Sequence, residues 1–223
     1  YRLNENSFIR YDVEMSQTNP TLVELTDTEI RLDPYLAERG NLLLKPYSNL
    51  NNNLFYEHKK GLFTFNANLR HHYKHNPIME SVKEQGNIFL IIPENMKSWN
   101  KYNEEMNLKV AMIKNILHFS LTGGYNHFNS QGNNYSHEYS NFYYSANVLA
   151  MYKKWMFIVQ IQPFDEKLYG ETVIKSGNYH YLAIQYNTDN FSFGIGAFNP
   201  FKNVSRTVIE NKNNQAPFRR ESF

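Results

Sequence analysis

The 223-residue chain contains no cysteine, so neither a disulfide framework nor a zinc–thiolate centre is possible. It has no run near the ~18 apolar residues of a transmembrane helix. "IFLII" at 88–92 is the longest purely aliphatic and aromatic stretch. No segment carries a helical stripe of period 3.6. Charge of one sign is also lacking. Lys and Arg number 23 against 21 Asp and Glu, for a net charge of +2, which argues neither for nor against nucleic acid. The first residue is Tyr1, with no basic n-region or signal h-region behind it. The chain therefore reads as mature protein or as a piece of something longer.

What is present is aromatic and amide side chains. The sequence holds 17 Tyr and 16 Phe, 16% aromatic with two Trp included, although its mean hydropathy of −0.62 looks soluble. Asn is used on the order of thirty times, far above ordinary composition.

Apolar and polar residues alternate with period two, the signature of strands whose faces meet different media. In "GLFTFNANLRHHY" (61–73), Phe63, Phe65, Ala67, Leu69 and Tyr73 oppose Thr64, Asn66, Asn68, Arg70 and His72. Similar patterns run over 8–16, 102–110, 116–125, 141–152, 155–162, 179–186 and 191–198, with 50–58 the weakest. Leu149 and Met151 spoil the pattern near the end of 141–152. The reading is all-β, an antiparallel up-and-down meander of about nine long strands. Strands of 10–14 residues exceed the usual globular ~5–6 and suit a tilted membrane-spanning strand of ~9–11 residues with overhang.

The connections alternate in length. Tight ones fall at 57–61, 112–115, 152–155 and 187–190; long ones at 17–49, 74–98, 129–137, 163–178 and after 199. In a meander this puts every short turn at one end and every long loop at the other, as in outer-membrane barrels with periplasmic turns and extracellular loops. Aromatics gather near strand ends: Tyr73, Trp99 with Tyr102, Tyr125, Tyr139 with Phe142, and Tyr152 with Trp155. These are expected to form interfacial girdles. The apolar face then meets lipid and the polar face a wet lumen. Pro163, unable to donate a ladder hydrogen bond, marks a loop start. With short turns periplasmic, the ninth strand leaves the chain outside, whereas single-chain bacterial barrels hold an even number of strands. The tail through Arg219, Arg220, Glu221 and Phe223 does not alternate like a closing strand. Residues 1–223 are thus expected to be a C-terminal portion of a barrel domain, lacking its last strand.

The stretch "LDPYLAERGNLLLKPYSNLNNNLFYEHKKGLFTFNANLRHHYKHNPIM", with Arg39-Gly40-Asn41 and Leu44-Lys45-Pro46 ahead of two hairpin strands, resembles the C-terminal barrel of TonB-dependent outer-membrane receptors. It is most similar to the Bacteroidota-type outer membrane β-barrel family. "YGET" at 169–172, "GAFNPF" at 196–201 and the region 121–162 add to the resemblance, which runs from about residue 8 to the end. The resemblance implies import of a bulky nutrient such as a metal chelate, vitamin, glycan or peptide. It also implies a bacterial outer-membrane location, lipid contact, and a TonB-type energising complex acting through a plug domain missing from this sequence. It implies no catalytic residue, metal or cofactor, and no nucleic-acid partner. Two other readings compete: a plug-less barrel with a structural or adhesive role, and a soluble β-sandwich binding module.

Cargo contacts are expected from the Asn-rich loop, at Asn129, Asn133, Asn134, Tyr135, His137 and Tyr139, because amides hydrogen-bond and Tyr rings stack. Arg70 and His72 at the outer end of the polar face join them. "HHYKH" (71–75) is read as a rim cluster and not a metal site, since His71 and His72 point to opposite faces and no carboxylate lies within the motif. "GIGAF" (194–198) has no following helix to present to a phosphate, and reads as closely packed strand positions. His118 and Ser120 share the polar face but lack a third partner for hydrolysis.

Overall fold

A computed structural model describes residues 1–113, 116–162, 166–176, 179–200, 207–212 and 219–222. The Pro163 position, half of the 112–115 turn, Phe201 and Phe223 lie outside them. Among the described residues there is no helix. In chain order the strands are β1 (Arg2–Asn4), β2 (Ser7–Thr18), β3 (Ile30–Asp33), β4 (Leu36–Glu38), β5 (Tyr47–Lys60) and β6 (Phe63–His75). Next come β7 (Ile78–Gln85), β8 (Ile88–Asn95), β9 (Ser98–Ile113), β10 (Leu117–Gln131), β11 (Ser136–Tyr152) and β12 (Trp155–Gln162). The last six are β13 (Lys167–Tyr169), β14 (Thr172–Lys175), β15 (Tyr179–Asn187), β16 (Ser192–Phe198), β17 (Thr207–Asn211) and β18 (Arg219–Ser222).

One sheet carries the order β1-β2-β5-β6-β9-β10-β11-β12-β15-β16. Its last nine strands are the nine alternating segments of the sequence, each antiparallel to its neighbour. The sheet is open: β1 and β16 are its edges and do not pair. The three-residue β1 is too short to show a period. The tight connections stand as expected, with Gly61 (φ 58) and Lys153 (φ 53) taking the left-handed backbone that short hairpins need.

The long connections differ from plain loops. Four carry strand pairs of their own, which assemble into two small sheets, β3-β4-β8-β7 and β13-β14-β17-β18. β18 joins the second of these and not the large sheet, in keeping with its failure to alternate. The expected loop at 129–137 is instead the end of a hairpin, with Asn129 opposite Glu138, Ser130 opposite His137 and Gln131 opposite Ser136. Alternation had faded there because both faces of the extended arm are polar.

The apolar face of the large sheet is bare. Phe142 is 85% exposed and Ile195 75%, and Met106, Leu121, Phe157 and Phe193 are exposed beside them. Among the described residues no second sheet covers this face, as a sandwich would require, so the sandwich reading fails. Aromatic pairs mark its two ends. Trp155 and Tyr186 (4.8 Å) lie at the short-turn end, and Tyr125 and Phe142 (4.7 Å) toward the long-loop end, where Tyr102 stacks on His71 (4.4 Å). From Phe142 to Tyr152 along β11 is roughly 34 Å at about 3.4 Å per residue. At a ~40° tilt this gives ~25 Å of height, the apolar band of an outer-membrane barrel.

The packed core lies elsewhere. Met79, Met96, Trp99, Phe128, Leu168 and Val173 cluster at the long-loop end, where both small sheets lean on the polar face. Two of the expected girdle residues belong here. Trp99 pairs with Lys74 and Ser130, and Tyr139 with Phe128, so both point to the polar face. Position along a strand gave their height correctly, but their parity puts them inside.

Candidate functional site

The polar face is organised in rows perpendicular to the strands, because an in-register antiparallel sheet sets directly opposite residues side by side. One row reads Asp12, Asn53, Arg70, Asn103, Asn126 and Asn141 across β2, β5, β6, β9, β10 and β11. Asn53 Nδ2 donates to Asp12 Oδ2 (3.3 Å), Arg70 Nη1 to Asn103 Oδ1 (3.4 Å), and Asn103 Nδ2 to Asn126 Oδ1 (2.9 Å). Asn disfavours strands, yet here each amide has a donor and an acceptor to offer to both neighbours. That explains the amide-rich composition.

The next row toward the short turns holds Arg10, Phe55, Asn68, Glu105, Gly124 and Tyr143. The Tyr143 hydroxyl accepts from Asn103 Nδ2 (2.9 Å) and donates to Glu105 Oε2 (2.8 Å). Glu105 also meets Arg70 at 3.5 Å. A Cβ on Gly124 would stand 2.3 Å from the Tyr143 ring, so only glycine lets that ring lie flat on the wall. Gly196 does the same for Tyr181, 2.9 Å from its hydroxyl, in agreement with the close-packing reading of "GIGAF". A hollow of about 340 Å³ opens here, lined among others by Asn66, Arg70, Glu105, Lys109, Thr122 and Tyr143.

Toward the long-loop end the wall turns cationic and aromatic. Lys74 Nζ sits over the rings of Tyr47, Trp99 and Tyr169 at 5.6, 5.3 and 5.5 Å. His72 meets Trp99 edge-on at 5.2 Å, and Lys101 Nζ lies over Phe128 at 5.2 Å. Trp99 Nε1 donates to Leu168 O (2.8 Å) and the Tyr169 hydroxyl to Ile78 O (2.9 Å), fixing the cap to the wall and its two sheets to each other.

The expected contact residues separate by parity. Arg70, His72, His137 and Tyr139 all stand on the polar face, with His72 and Tyr139 in one row. Tyr139 donates to Glu166 Oε2 and carries Lys212 Nζ over its ring at 5.5 Å. Tyr135 stacks on His137 (5.0 Å), whose Nε2 is 3.9 Å from Glu171 Oε1. Burial, and then Lys212, hold the His137 imidazole below its ordinary range, while burial raises the Tyr135 and Tyr139 hydroxyls. Asn133 and Asn134 are exposed at the turn tip. Asn129 is the exception. It lies on the opposite face and donates to Glu138 Oε1 (3.1 Å). Sequence reasoning missed Asn53, Asn103, Asn126, Glu105 and Tyr143 as a unit. The Asn content pointed to the residue type, but only the register joins residues up to 129 positions apart (Asp12 to Asn141).

A sheet with one bare apolar face and one hydrogen-bonded polar face is the wall of a membrane-spanning β-barrel, since closure alone satisfies strand edges in lipid. The chain matches the model of the Outer membrane protein beta-barrel family over residues 1–222 and belongs to that family. Its apolar face therefore meets lipid and its polar face lines the lumen. The fold is similar to that of the siderophore receptor PirA from Pseudomonas aeruginosa, with TM-score 0.62 and 13% identity. The match covers 97% of this chain and 38% of that receptor, so the chain spans well under half of its length. A search of curated proteins returned no match.

Proposed function

We propose that this chain is a C-terminal portion of the barrel of a TonB-dependent outer-membrane receptor. The whole receptor imports a bulky nutrient: a metal chelate, vitamin, glycan or peptide. The observation that carries the reading is the row of polar side chains from Asp12 to Asn141, set side by side across six strands below a packed cap. An open sheet with such a wall needs further strands to close it, and a barrel of that girth encloses a lumen that a plug can fill. The likeness in fold to a siderophore receptor supports the same reading.

In this scheme the capped end is extracellular and the short turns are periplasmic. Cargo meets Asn133, Asn134 and Tyr135 at the hairpin tip, then His137, Tyr139, His72 and Arg70 down the wall. Asn129, on the outer face, contacts only cargo that approaches the arm from outside. A plug domain borne on another part of the parent contacts the energising complex, and the barrel itself catalyses no reaction.

The test uses intact cells making the full-length parent. Added protease should cut the 132–135 tip of a membrane-embedded protein. Uptake of at least one labelled compound from a panel of iron chelates, vitamins, oligosaccharides and peptides should require both the parent and its energising partner. Uptake that persists without the partner, or a tip protected outside and cut only in opened cells, would overturn the importer or the orientation respectively.

A further inference from the structure

A hollow of about 430 Å³ opens on the lipid-facing side of β12, β15 and β16. Two rows of side chains wall it, Phe157-Ile184-Ile195 and Val159-Leu182-Ala197, each set side by side across the three strands. Its floor is the backbone at Ile158, Ala183 and Gly196, which have lumenal parity. Ala197 is the smallest wall residue and leaves the β16 side of the depression open. β16 is an edge of this sheet, and a strand added there pairs in the plane of the sheet, so the lipid side of the hollow stays open.

The register fixes how deep the hollow lies. The row next to it toward the short turns is aromatic: Tyr152, Trp155, Tyr186 and Phe193. Such a row marks the membrane–water boundary. The two walls of the hollow stand two and four residues further along β12, roughly 7 and 13 Å at about 3.3 Å per residue. That is the depth of an acyl chain whose headgroup sits at the aromatic row. Lys153 and Lys154 form the turn beside Trp155, and both are exposed. Asn187 N donates to Lys154 O (2.7 Å), tying this turn to the start of the next. Lys153 Nζ lies over the Tyr152 ring at 5.4 Å. Among the described residues neither lysine has an ion-pair partner, and Asp189 on the adjoining turn pairs with neither. An apolar hollow one acyl chain deep, with two free cations at its headgroup end, has the charge and shape of an anionic lipid site.

We propose that this hollow holds one anionic phospholipid, its phosphodiester at Lys153 and Lys154 and one acyl chain between the Phe157-Ile184-Ile195 and Val159-Leu182-Ala197 rows. A zwitterionic headgroup carries its own ammonium and gains less from the lysine pair. The site needs only the lipid-facing wall and is independent of the importer reading.

The test is native mass spectrometry of the full-length parent in neutral detergent, titrated with palmitoyl-oleoyl phosphatidylglycerol or the matching phosphatidylcholine. The parent should retain phosphatidylglycerol at least ten-fold more tightly than phosphatidylcholine. The pair Lys153→Gln and Lys154→Gln should lose one tightly held phosphatidylglycerol. Ala197→Phe, which fills the hollow from the lipid side, should lose the same lipid with the lysines intact. The pair Lys59→Gln and Lys60→Gln removes equal charge from the β5–β6 turn and should leave retention unchanged. Equal retention of the two lipids, or no lipid lost in either the lysine variant or Ala197→Phe, would overturn the proposal. Equal loss in Lys59→Gln with Lys60→Gln would reduce the effect to general surface charge and overturn it too. Displacement of the retained lipid by equimolar lipid A would overturn the choice of phospholipid.

Discussion

Gly124 shows how much one missing Cβ decides on the lumen wall. The Tyr143 ring occupies the space where that carbon would be, and its hydroxyl joins Asn103 to Glu105. Gly124→Ala must displace the ring and break both hydrogen bonds, at a cost of about 1–3 kcal/mol typical of overpacking. The check is a lowered denaturant midpoint in detergent with unchanged strand content. Gly123, with open space around its Cβ position, should accept alanine with little change. "LTGGY" gives no sign of this difference. Gly124 faces the lumen and Gly123 the lipid side, and only the partner strand brings Tyr143 to one of them.

At the scale of elements, the cap is a small domain built from connections. Its core residues Trp99 and Phe128 are 6% and 1% exposed and come from the barrel strands, while Leu168 and Val173 come from the hairpin of β13 and β14. Phe128→Ala should cost about 3–5 kcal/mol, as for a buried aromatic. The loss should appear as faster amide exchange in 167–175 with the 117–123 part of β10 unaffected. The cap should also respond to pH. The folded His137 imidazole titrates below its unfolded value, because of burial and then Lys212. Its contribution to stability is therefore present above about pH 6.5 and lost as pH falls through the folded value. Exchange protection around the 132–135 turn, corrected for intrinsic rates, should be higher at pH 7.5 than at pH 5, and His137→Gln should flatten the difference. Glu80 acts with the opposite sign, since its raised value makes folding easier below the usual carboxylate range and harder as pH rises through it. Glu80→Gln isolates the histidine effect.

For the whole molecule, the two faces of the sheet make the sharpest test. Leu121 and Ser145 are near neighbours on β10 and β11, the first toward lipid and the second lining the lumen hollow. Leu121→Arg should cost about 2–4 kcal/mol near the midplane and reduce the heat-stable, membrane-inserted fraction. Ser145→Arg should insert normally. Equal damage from both would mean that the faces do not meet different media. The strand alternation, the order of the meander and the short-turn end were legible because side-chain parity and turn chemistry are local properties of the chain. The sequence by itself determined which residues share a face and that this face is apolar toward lipid. It could not show that the long connections fold into two sheets, or that Trp99 and Phe128 on the wall pack against them. Nor could it show that Asp12 through Asn141 form one row. Those depend on register and on contacts between segments far apart in the chain, where small non-local differences in packing and hydrogen bonding select one pairing from many that the local pattern allows.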